Sequence, residues 1–193
     1  MRVLVACEMS GVVREAFANR GHDAWSCDIL PSLLPGNHVQ GDVMRLLDDD
    51  WDMLIAFPPC THLAVSGARW FKDKAVEQQI AIKFFLDLTN APIPRICIEN
   101  PVGIMSTHYR KPNQYIQPWQ FGHDASKKTG LWLKGLAPLK ATGNVPARIL
   151  GGKKRWGNQT DSGQNKLTPS DDRAMLRSLT YQGIAHAMAD QWG

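Results

Sequence analysis

Two short motifs carry residue types that could perform covalent catalysis. Cys60 ends the segment FPPC at positions 57–60, and Glu99 begins the segment ENP at positions 99–101. A thiolate is a strong nucleophile where its surroundings lower its pKa, and the two prolines stiffen the turn that presents this one. A carboxyl beside it in a dry pocket can stay protonated and donate to a ring nitrogen. The two motifs together predict nucleophilic attack on a nitrogen heterocycle.

The elements that must position these residues are alternating strands and helices. Apolar runs at 2–6, 23–27, 38–41, 51–57 and 94–98 predict five strands, and helical spacing predicts helices at 12–20, from the cap Asp73 to Leu88, and at 170–191. This alternation predicts a Rossmann-like α/β fold, a mostly parallel sheet with helices on both faces. Ligands bind such sheets at the carboxyl ends of the strands. Five strand ends carry an acid or a thiol: Glu8, Asp28, Asp42, Cys60 and Glu99.

The first three strand ends predict a nucleoside site. The turn Ser10-Gly11 leads into a helix and lets backbone amides approach a ligand. Asp28 ends the second strand, where an acid can accept hydrogen bonds from both ribose hydroxyls. Asp42 ends the third and can accept a hydrogen bond from the exocyclic amine of adenine.

The second half of the chain is basic and less regular. Residues 1–104 carry 9 Lys and Arg against 13 Asp and Glu, whereas residues 105–170 carry 11 against 2. Interleaved aromatic residues favour nucleic acid as the partner over a merely solvated loop region. Segments 116–121 and 130–133 are interpreted as a possible strand pair, and 143–165 as loop.

Length and composition bear on the domain organisation, the location of the protein and the presence of metal sites or disulfides. With 193 residues of which 44% are hydrophobic, the chain is predicted to form one domain: a cofactor-binding and catalytic core at 1–104, a basic substrate-facing part at 105–166 and a helical segment at 167–193. No apolar run suits a membrane span, and the N-terminus lacks the layout of a signal peptide, so no membrane partner and a cytoplasmic location are expected. Four cysteines without a CxxC pair predict neither a metal site nor disulfides.

The two catalytic motifs resemble those of the DNA (cytosine-5)-methyltransferases, which have a Pro-Cys motif and a following Glu-Asn motif. The resemblance extends to Ser66-Gly67, Gly41-Asp42-Val43, the segment NKLTP at 165–169 and the segment YQGIA at 181–185. Around Gln117-Pro118-Trp119 the chain is similar to the compact, single-domain members of phages and prophages. The resemblance implies an S-adenosylmethionine-dependent methyltransferase fold without a large target recognition domain, and a bacterial host cytoplasm if the chain is phage-encoded.

The resemblance also implies roles for individual residues. Cys60 would add to carbon 6 of cytosine while Glu99 donates to nitrogen 3, and carbon 5 would receive the methyl group, with DNA as the favoured substrate. Contacts to S-adenosylmethionine are expected from Glu8, Met9, Ser10, Gly11, Asp28, Ile29, Asp42, Val43 and Pro58. Contacts to the substrate are expected from Pro59, Thr61, Ser66, Asn100, Lys127, Lys128 and Arg155.

Departures from the family pattern leave alternatives open. The first-strand motif keeps one of two glycines, Thr61 replaces a glutamine, and the Gln-x-Arg-x-Arg segment is missing, with His123, Lys127, Lys128 and Arg155 as possible substitutes for its arginine. Residues 134–164 are too short for a target recognition domain, so RNA, single-stranded DNA or a free cytosine nucleotide remain alternative substrates. A thymidylate synthase relative, an amino-methyltransferase and a non-catalytic nucleic-acid-binding relative are the other interpretations. The sequence does not indicate an oligomeric state.

Overall fold

A computed structural model describes residues 1–64, 74–168, 170 and 173–193. The predicted helix cap Asp73, the predicted substrate contact Ser66 and the end of the segment at 165–169, Pro169, lie outside the described residues. Within the described residues, no helix has the length and apolar character needed to cross a membrane.

Nine strands and five helices are numbered here in chain order within the described residues. The strands are β1 Arg2–Ala6, β2 Asp23–Asp28, β3 His38–Gln40, β4 Met53–Ala56, β5 Arg95–Pro101, β6 Gln114–Ile116, β7 Thr129–Lys134, β8 Arg148–Leu150 and β9 Lys153–Arg155. The helices are α1 Val12–Ala18, α2 Ala75–Thr89, α3 Met105–His108, α4 Arg173–Ser178 and α5 Gln182–Trp192.

Seven strands form one sheet in the order β3-β2-β1-β4-β5-β7-β6. Neighbours from β3 to β5 are parallel, and β7 runs antiparallel to both β5 and β6. The predicted Rossmann-like α/β fold is therefore confirmed. Because the strand order reverses between β1 and β4, a crevice is expected outside their carboxyl ends, where Glu8 and the Pro58-Pro59-Cys60 turn follow.

Helices cover both faces of the sheet, as alternating side chains along the strands require. Val3 and Val5 of β1 pack with α1 and α5 on one face. Leu4 and Ala6 of the same strand pack with α2 on the other. Burial on both faces explains why β4 is apolar at every position and why β1 is apolar from Val3 to Ala6.

Three segments of the second half differ from the sequence interpretation. The strand β6 begins and ends earlier than 116–121, and Pro118–Phe121 forms a 3-10 turn, because proline has no amide to donate to a strand neighbour. Segment 143–165, interpreted as loop, contains the antiparallel hairpin β8–β9. The predicted C-terminal helix is two helices, α4 and α5, separated at residues 179–181.

Candidate active site

The turn that carries Cys60 is held by backbone hydrogen bonds. The backbone carbonyl of Cys60 accepts hydrogen bonds from the amides of Leu63 and Ala64, at 3.0 and 2.9 Å. Ile104 in turn donates its amide to the carbonyl of Leu63 at 2.9 Å. A side chain at Gly103 would collide with that same carbonyl, so only glycine allows the segment after β5 to approach the Cys60 turn this closely.

Glu99 lies on the face of β5 that points towards α1 and α5. Along this strand Ile96 and Ile98 pack against α2, whereas Cys97 faces the opposite cluster, and Glu99 follows Cys97 by two residues. Burial raises the pKa of Glu99, and the charge of Lys127 and a hydrogen bond with the buried Thr129 side chain act in the opposite direction. This carboxyl is therefore poised to hold a proton more readily than an exposed glutamate.

Cys60 and Glu99 are within electrostatic reach of each other. Burial raises the pKa of the half-buried Cys60 thiol, and the negative charge of Glu99 raises it further. The free thiol is therefore less acidic than an exposed cysteine, although a nucleophile was predicted to need a lowered pKa. Burial is the larger cause of this raised pKa, and the charge of Glu99 is the second; where Glu99 is protonated, its charge no longer opposes a thiolate at Cys60.

Lys127 is the basic residue that acts on both groups. Its charge lowers the pKa of Cys60 and of Glu99, and its Nζ donates a hydrogen bond to the carbonyl of Arg177 at 2.8 Å. Arg177, which the sequence analysis did not single out, also lowers the pKa of the Cys60 thiol. Both cations stabilise negative charge at this edge of the sheet.

Three other basic residues were possible substitutes for the family's missing arginine, and each of them has a different partner. Lys128 lies over the ring of Tyr115, with Nζ 4.4 Å from its centroid. His123 accepts a hydrogen bond at Nε2 from the amide of Gly183 at 2.8 Å. Arg155 donates to the carbonyls of Asp161 and Ser162, at 3.0 and 3.2 Å. The Arg155 guanidinium therefore braces its own loop, and the expected substrate contact from Arg155 stays a prediction.

A narrow cleft opens beside Glu99 between the sheet and the C-terminal helices. Its walls include residues to which the sequence analysis assigned no role in the site, although some of them lie in its motifs. They are Phe57, Ile116, Pro118, Thr129, Ser178, Thr180, Tyr181, Ile184 and Met188, together with Glu99 and Lys127. Of the expected substrate contacts near Cys60, Pro59 and Thr61 are exposed and Asn100 is buried.

The acid after β1 caps the following helix. The Glu8 carboxylate accepts hydrogen bonds from the amides of Val13 and Arg14, at 2.6 and 3.2 Å, and from the Ser10 hydroxyl at 3.1 Å. Burial raises its pKa to about 7, and these hydrogen bonds oppose the rise. Glu8 and Ser10 were expected to contact a cofactor, but their side chains bind the start of α1, where a carboxylate matches the partial positive charge.

Two other predicted cofactor contacts, Asp28 and Asp42, gather near the end of β1. The pKa of Cys7 is raised to about 12, chiefly by burial and in smaller part by the charges of Asp28 and Asp42, so both carboxylates lie near this strand end. Asp28 accepts a bond from the Leu30 amide at 2.9 Å, and Asp42 accepts one from the Met44 amide at 3.0 Å.

The apolar cofactor contacts divide into one exposed and two buried side chains. Ile29, directly after β2, is 74% exposed. Met9 and Val43 are buried, and Val43 packs in the core beside Leu47 and Trp51. The buried Val43 side chain therefore supports the turn that carries Asp42, and a contact of Val43 with the cofactor stays a prediction. Gly11 has a φ of 74°, and a Cβ there would lie 2.7 Å from the Arg14 guanidinium.

The loop after β2 is fastened by Arg14, a buried arginine that the sequence analysis did not single out. Its side chain is 1% exposed, and its guanidinium donates to the Ser26 and Ser32 hydroxyls at 3.0 and 3.1 Å. It also donates to the carbonyls of Leu34 and Pro35, at 3.1 and 2.6 Å. One buried cation thus connects α1, β2 and the loop that begins at Ile29.

No protein-family model matches the chain, and no curated protein sequence matches it. Among solved structures, it is similar to a candidate DNA modification methyltransferase encoded within a prophage of E. coli, with 15% identity and a TM-score of 0.48, over 77% of this chain and 53% of that one. It is also similar to the 16S rRNA methylase RmtB, with 12% identity and a TM-score of 0.38, over 69% of this chain and 55% of that one. The chain spans about half the length of each of these proteins.

Proposed function

We propose that this chain is an S-adenosylmethionine-dependent methyltransferase that methylates carbon 5 of cytosine in DNA. The observation that carries the proposal is the convergence of Cys60, Glu99 and Lys127 at the carboxyl ends of β4 and β5, where the charges of Glu99 and Lys127 both act on the thiol. A sulfur nucleophile, a carboxyl that retains a proton and a cation are the groups that covalent activation of a cytosine ring requires. The resemblance of the two catalytic motifs supports the same assignment.

In the proposed reaction the Cys60 thiolate forms a bond to carbon 6 of the ring. Glu99, in its protonated form, donates its proton to nitrogen 3 as electron density moves out of the carbon 5–carbon 6 double bond. Carbon 5 thereby becomes an enamine-type nucleophile and acquires the methyl group. Loss of the carbon-5 proton to solvent then expels the Cys60 thiolate, restores the double bond and returns the nitrogen-3 proton to Glu99. The cation of Lys127 stabilises the single negative charge that moves between the two side chains.

The residues at the ends of β1, β2 and β3 fit S-adenosylmethionine, because they offer hydrogen-bond acceptors and an apolar surface. Asp28 and Asp42 each use one carboxylate oxygen on a nearby amide, and no described residue hydrogen-bonds the other oxygen. Two carboxylate acceptors suit the ribose hydroxyls and the adenine amine, and the exposed Ile29 offers an apolar surface to a purine ring. When bound, the cofactor supplies an electrophilic methyl group.

Trapping on a 5-fluorocytosine substrate tests the covalent mechanism. Fluorine at carbon 5 cannot leave as a cation, so the wild-type protein should remain joined to duplex DNA containing 5-fluorocytosine when S-adenosylmethionine is present. Cys60→Ser should abolish this denaturation-resistant complex, whereas the matched variant Cys7→Ser should retain it. Undiminished methylation by Cys60→Ala would overturn the mechanism.

Two further measurements separate the cofactor from the substrate. Equilibrium dialysis with labelled S-adenosylmethionine should show binding to the wild type and at least about tenfold weaker binding to Asp28→Ala, which loses charge-assisted hydrogen bonds. Mass spectrometry of nucleosides after incubation with duplex DNA, single-stranded DNA, RNA or dCMP should give 5-methyldeoxycytidine from duplex DNA. Methylation of one of the other three substrates alone would reassign the substrate, and nucleic-acid binding without any methylation would favour a non-catalytic relative.

A further inference from the structure

The hairpin formed by residues 148–155 is a basic ribbon with an open tip. Its strands pair Arg148 with Arg155 and Leu150 with Lys153, around the two-residue turn Gly151-Gly152. Both glycines have positive φ, 55° and 73°, which this tight turn requires. A Cβ at either glycine would meet no atom within 4 Å, so the tip projects into open space.

The base of the hairpin is fixed to the loop that follows it. Arg148 donates to the carbonyls of Trp156 and Gln159, at 3.4 and 3.5 Å, and Arg155 donates to the carbonyls at 161 and 162. The Trp156 ring stacks on Trp119 with 5.5 Å between centroids and 12° between planes. The two arginines therefore brace the ribbon and leave other side chains for outside contacts.

Ile149, Lys153 and Lys154 are those outward-facing residues. All three are exposed, and Ile149 exposes 63% of its surface. Because cross-strand partners share a face of a ribbon, Ile149 and Lys154 point to the same side. This face of the ribbon therefore presents an apolar side chain beside an ammonium group.

The root of the hairpin is fastened one residue from the proposed catalytic cation. The Gly157 amide donates to the Asp124 carboxylate at 2.7 Å. Asn158 accepts from the Ser126 amide at 2.9 Å and donates to the Ser126 carbonyl at 3.0 Å. Lys127 follows directly, and its charge acts on Cys60 and Glu99. A substrate held in the site therefore lies near the root of the ribbon.

We propose that the hairpin at residues 148–155 enters the major groove of duplex DNA beside the base that is taken into the active site, an inference that rests on the proposed function. The segment carries four basic residues and no acidic one, which matches the phosphates on both sides of a groove. The major groove of B-DNA admits a two-stranded ribbon, whereas that of double-stranded RNA is too narrow for side chains to read. Single strands are bound chiefly by stacking on aromatic rings, and this segment has none. Ile149 suits an apolar contact with a thymine methyl group.

Fluorescence anisotropy with a labelled duplex of about two helical turns tests this assignment. Lys153→Ala/Lys154→Ala should weaken binding at least about tenfold at 0.1 M salt and reduce the slope of log K against log salt by about 2, since each phosphate contact contributes about 0.9. The control Lys83→Ala/Lys140→Ala removes the same charge elsewhere. Lys83 pairs with Asp87 on α2, and the backbone amide of Lys140 bonds Gln191 near the end of α5. Both residues lie outside the hairpin, so the control should bind as the wild type does.

The outcomes separate this inference from the proposed function, because binding is measured without cofactor. An equal loss in the control variant, an equal loss on single-stranded DNA, or a larger loss on double-stranded RNA would overturn the hairpin assignment while methylation could still stand. A specific loss on duplex DNA in a protein that methylates nothing would support the hairpin and refute the enzyme. Circular dichroism of each variant distinguishes lost binding from a lost fold.

Discussion

Asn100 donates its side-chain amide to the backbone carbonyl of Pro58 at 2.8 Å, which connects the end of β5 to the turn that carries Cys60. Asn100 is 1% exposed, and its Oδ1 has no hydrogen-bond partner among the described residues. Glu99 is its neighbour in the chain, so this bond helps to set the spacing between the proposed nucleophile Cys60 and the proposed acid Glu99. We therefore expect Asn100 to act as a positioning residue for the Pro-Pro-Cys motif.

Removing that bond should slow chemistry more than it destabilises the fold. Asn100→Ala leaves the Pro58 carbonyl without its donor, which costs about 1–3 kcal/mol of unfolding free energy. We expect adduct formation on 5-fluorocytosine DNA to slow by at least about 10²-fold, because misplacing a catalytic group by about 1 Å has that effect. Urea unfolding and single-turnover trapping measure the two quantities. A wild-type trapping rate in a destabilised variant would refute the positioning role.

Neutralising Glu99 should make the Cys60 thiol more reactive and the enzyme inactive. The charge of Glu99 raises the thiol pKa, so Glu99→Gln lowers that pKa and increases the thiolate fraction near pH 8. Alkylation of the Cys60 peptide by iodoacetamide, followed by mass spectrometry, should therefore be faster in the variant. Methylation should fall by about 10²–10⁴-fold, because the amide cannot donate a proton to nitrogen 3. Asp190→Asn, a carboxylate paired with Arg20, serves as the control.

Lys127 should set the pH range in which Cys60 works. Its charge lowers the pKa of the thiol, so Lys127→Met raises that pKa and should slow adduct formation about tenfold near neutral pH. The loss should shrink as pH rises and the thiolate returns. Lys127→Arg keeps the charge and should retain most of the rate. A deficit in Lys127→Met that does not change with pH would contradict an electrostatic role.

Because of Glu8, the free energy of unfolding should fall as pH rises through the weakly acidic range. Its pKa is about 7 in the folded protein, above the usual 4.5, so between these values the folded protein holds a proton that the unfolded chain has released. Its contribution to stability is complete below about pH 4.5 and is lost as pH rises to about 7. Relative to Glu8→Gln, the wild type should lose about 3 kcal/mol of unfolding free energy across this window. Parallel urea midpoints for the two proteins from pH 4.5 to 7.5 would contradict the prediction.

The sequence predicted the central sheet because each predicted strand contains a short apolar run, and an acid or a cysteine lies at or just beyond its carboxyl end. Parallel strands bring their carboxyl ends to one edge, so Cys60 and Glu99 could be paired before any coordinates existed. The role of Glu8 could not be read in the same way. Its carboxylate turns back onto amides that lie five and six residues later, and this depends on the left-handed backbone at Cys7 and Gly11.

The structure of the basic second half could not be predicted from the sequence, because contacts between distant segments determine which side chains meet. Lys127 and Lys128 are adjacent and alike in sequence, yet one acts on Cys60 and Glu99 while the other covers Tyr115. The hairpin was interpreted as loop because its three-residue strands are short and mostly charged, although the Gly-Gly pair between them is itself a hairpin signal.

The buried guanidinium of Arg14 has a consequence for how the neighbouring chain behaves in solution. Ile29, Leu30, Leu33 and Leu34 expose large apolar side chains, which ordinarily marks a segment that proteases cut readily or that aggregates. Three hydrogen bonds from the buried Arg14 side chain, to Ser32, Leu34 and Pro35, hold that segment, so it should survive limited digestion. A preorganised surface loses little conformational entropy when a ligand binds to it. Binding there therefore needs no coupled folding step, and the affinity is higher for that reason.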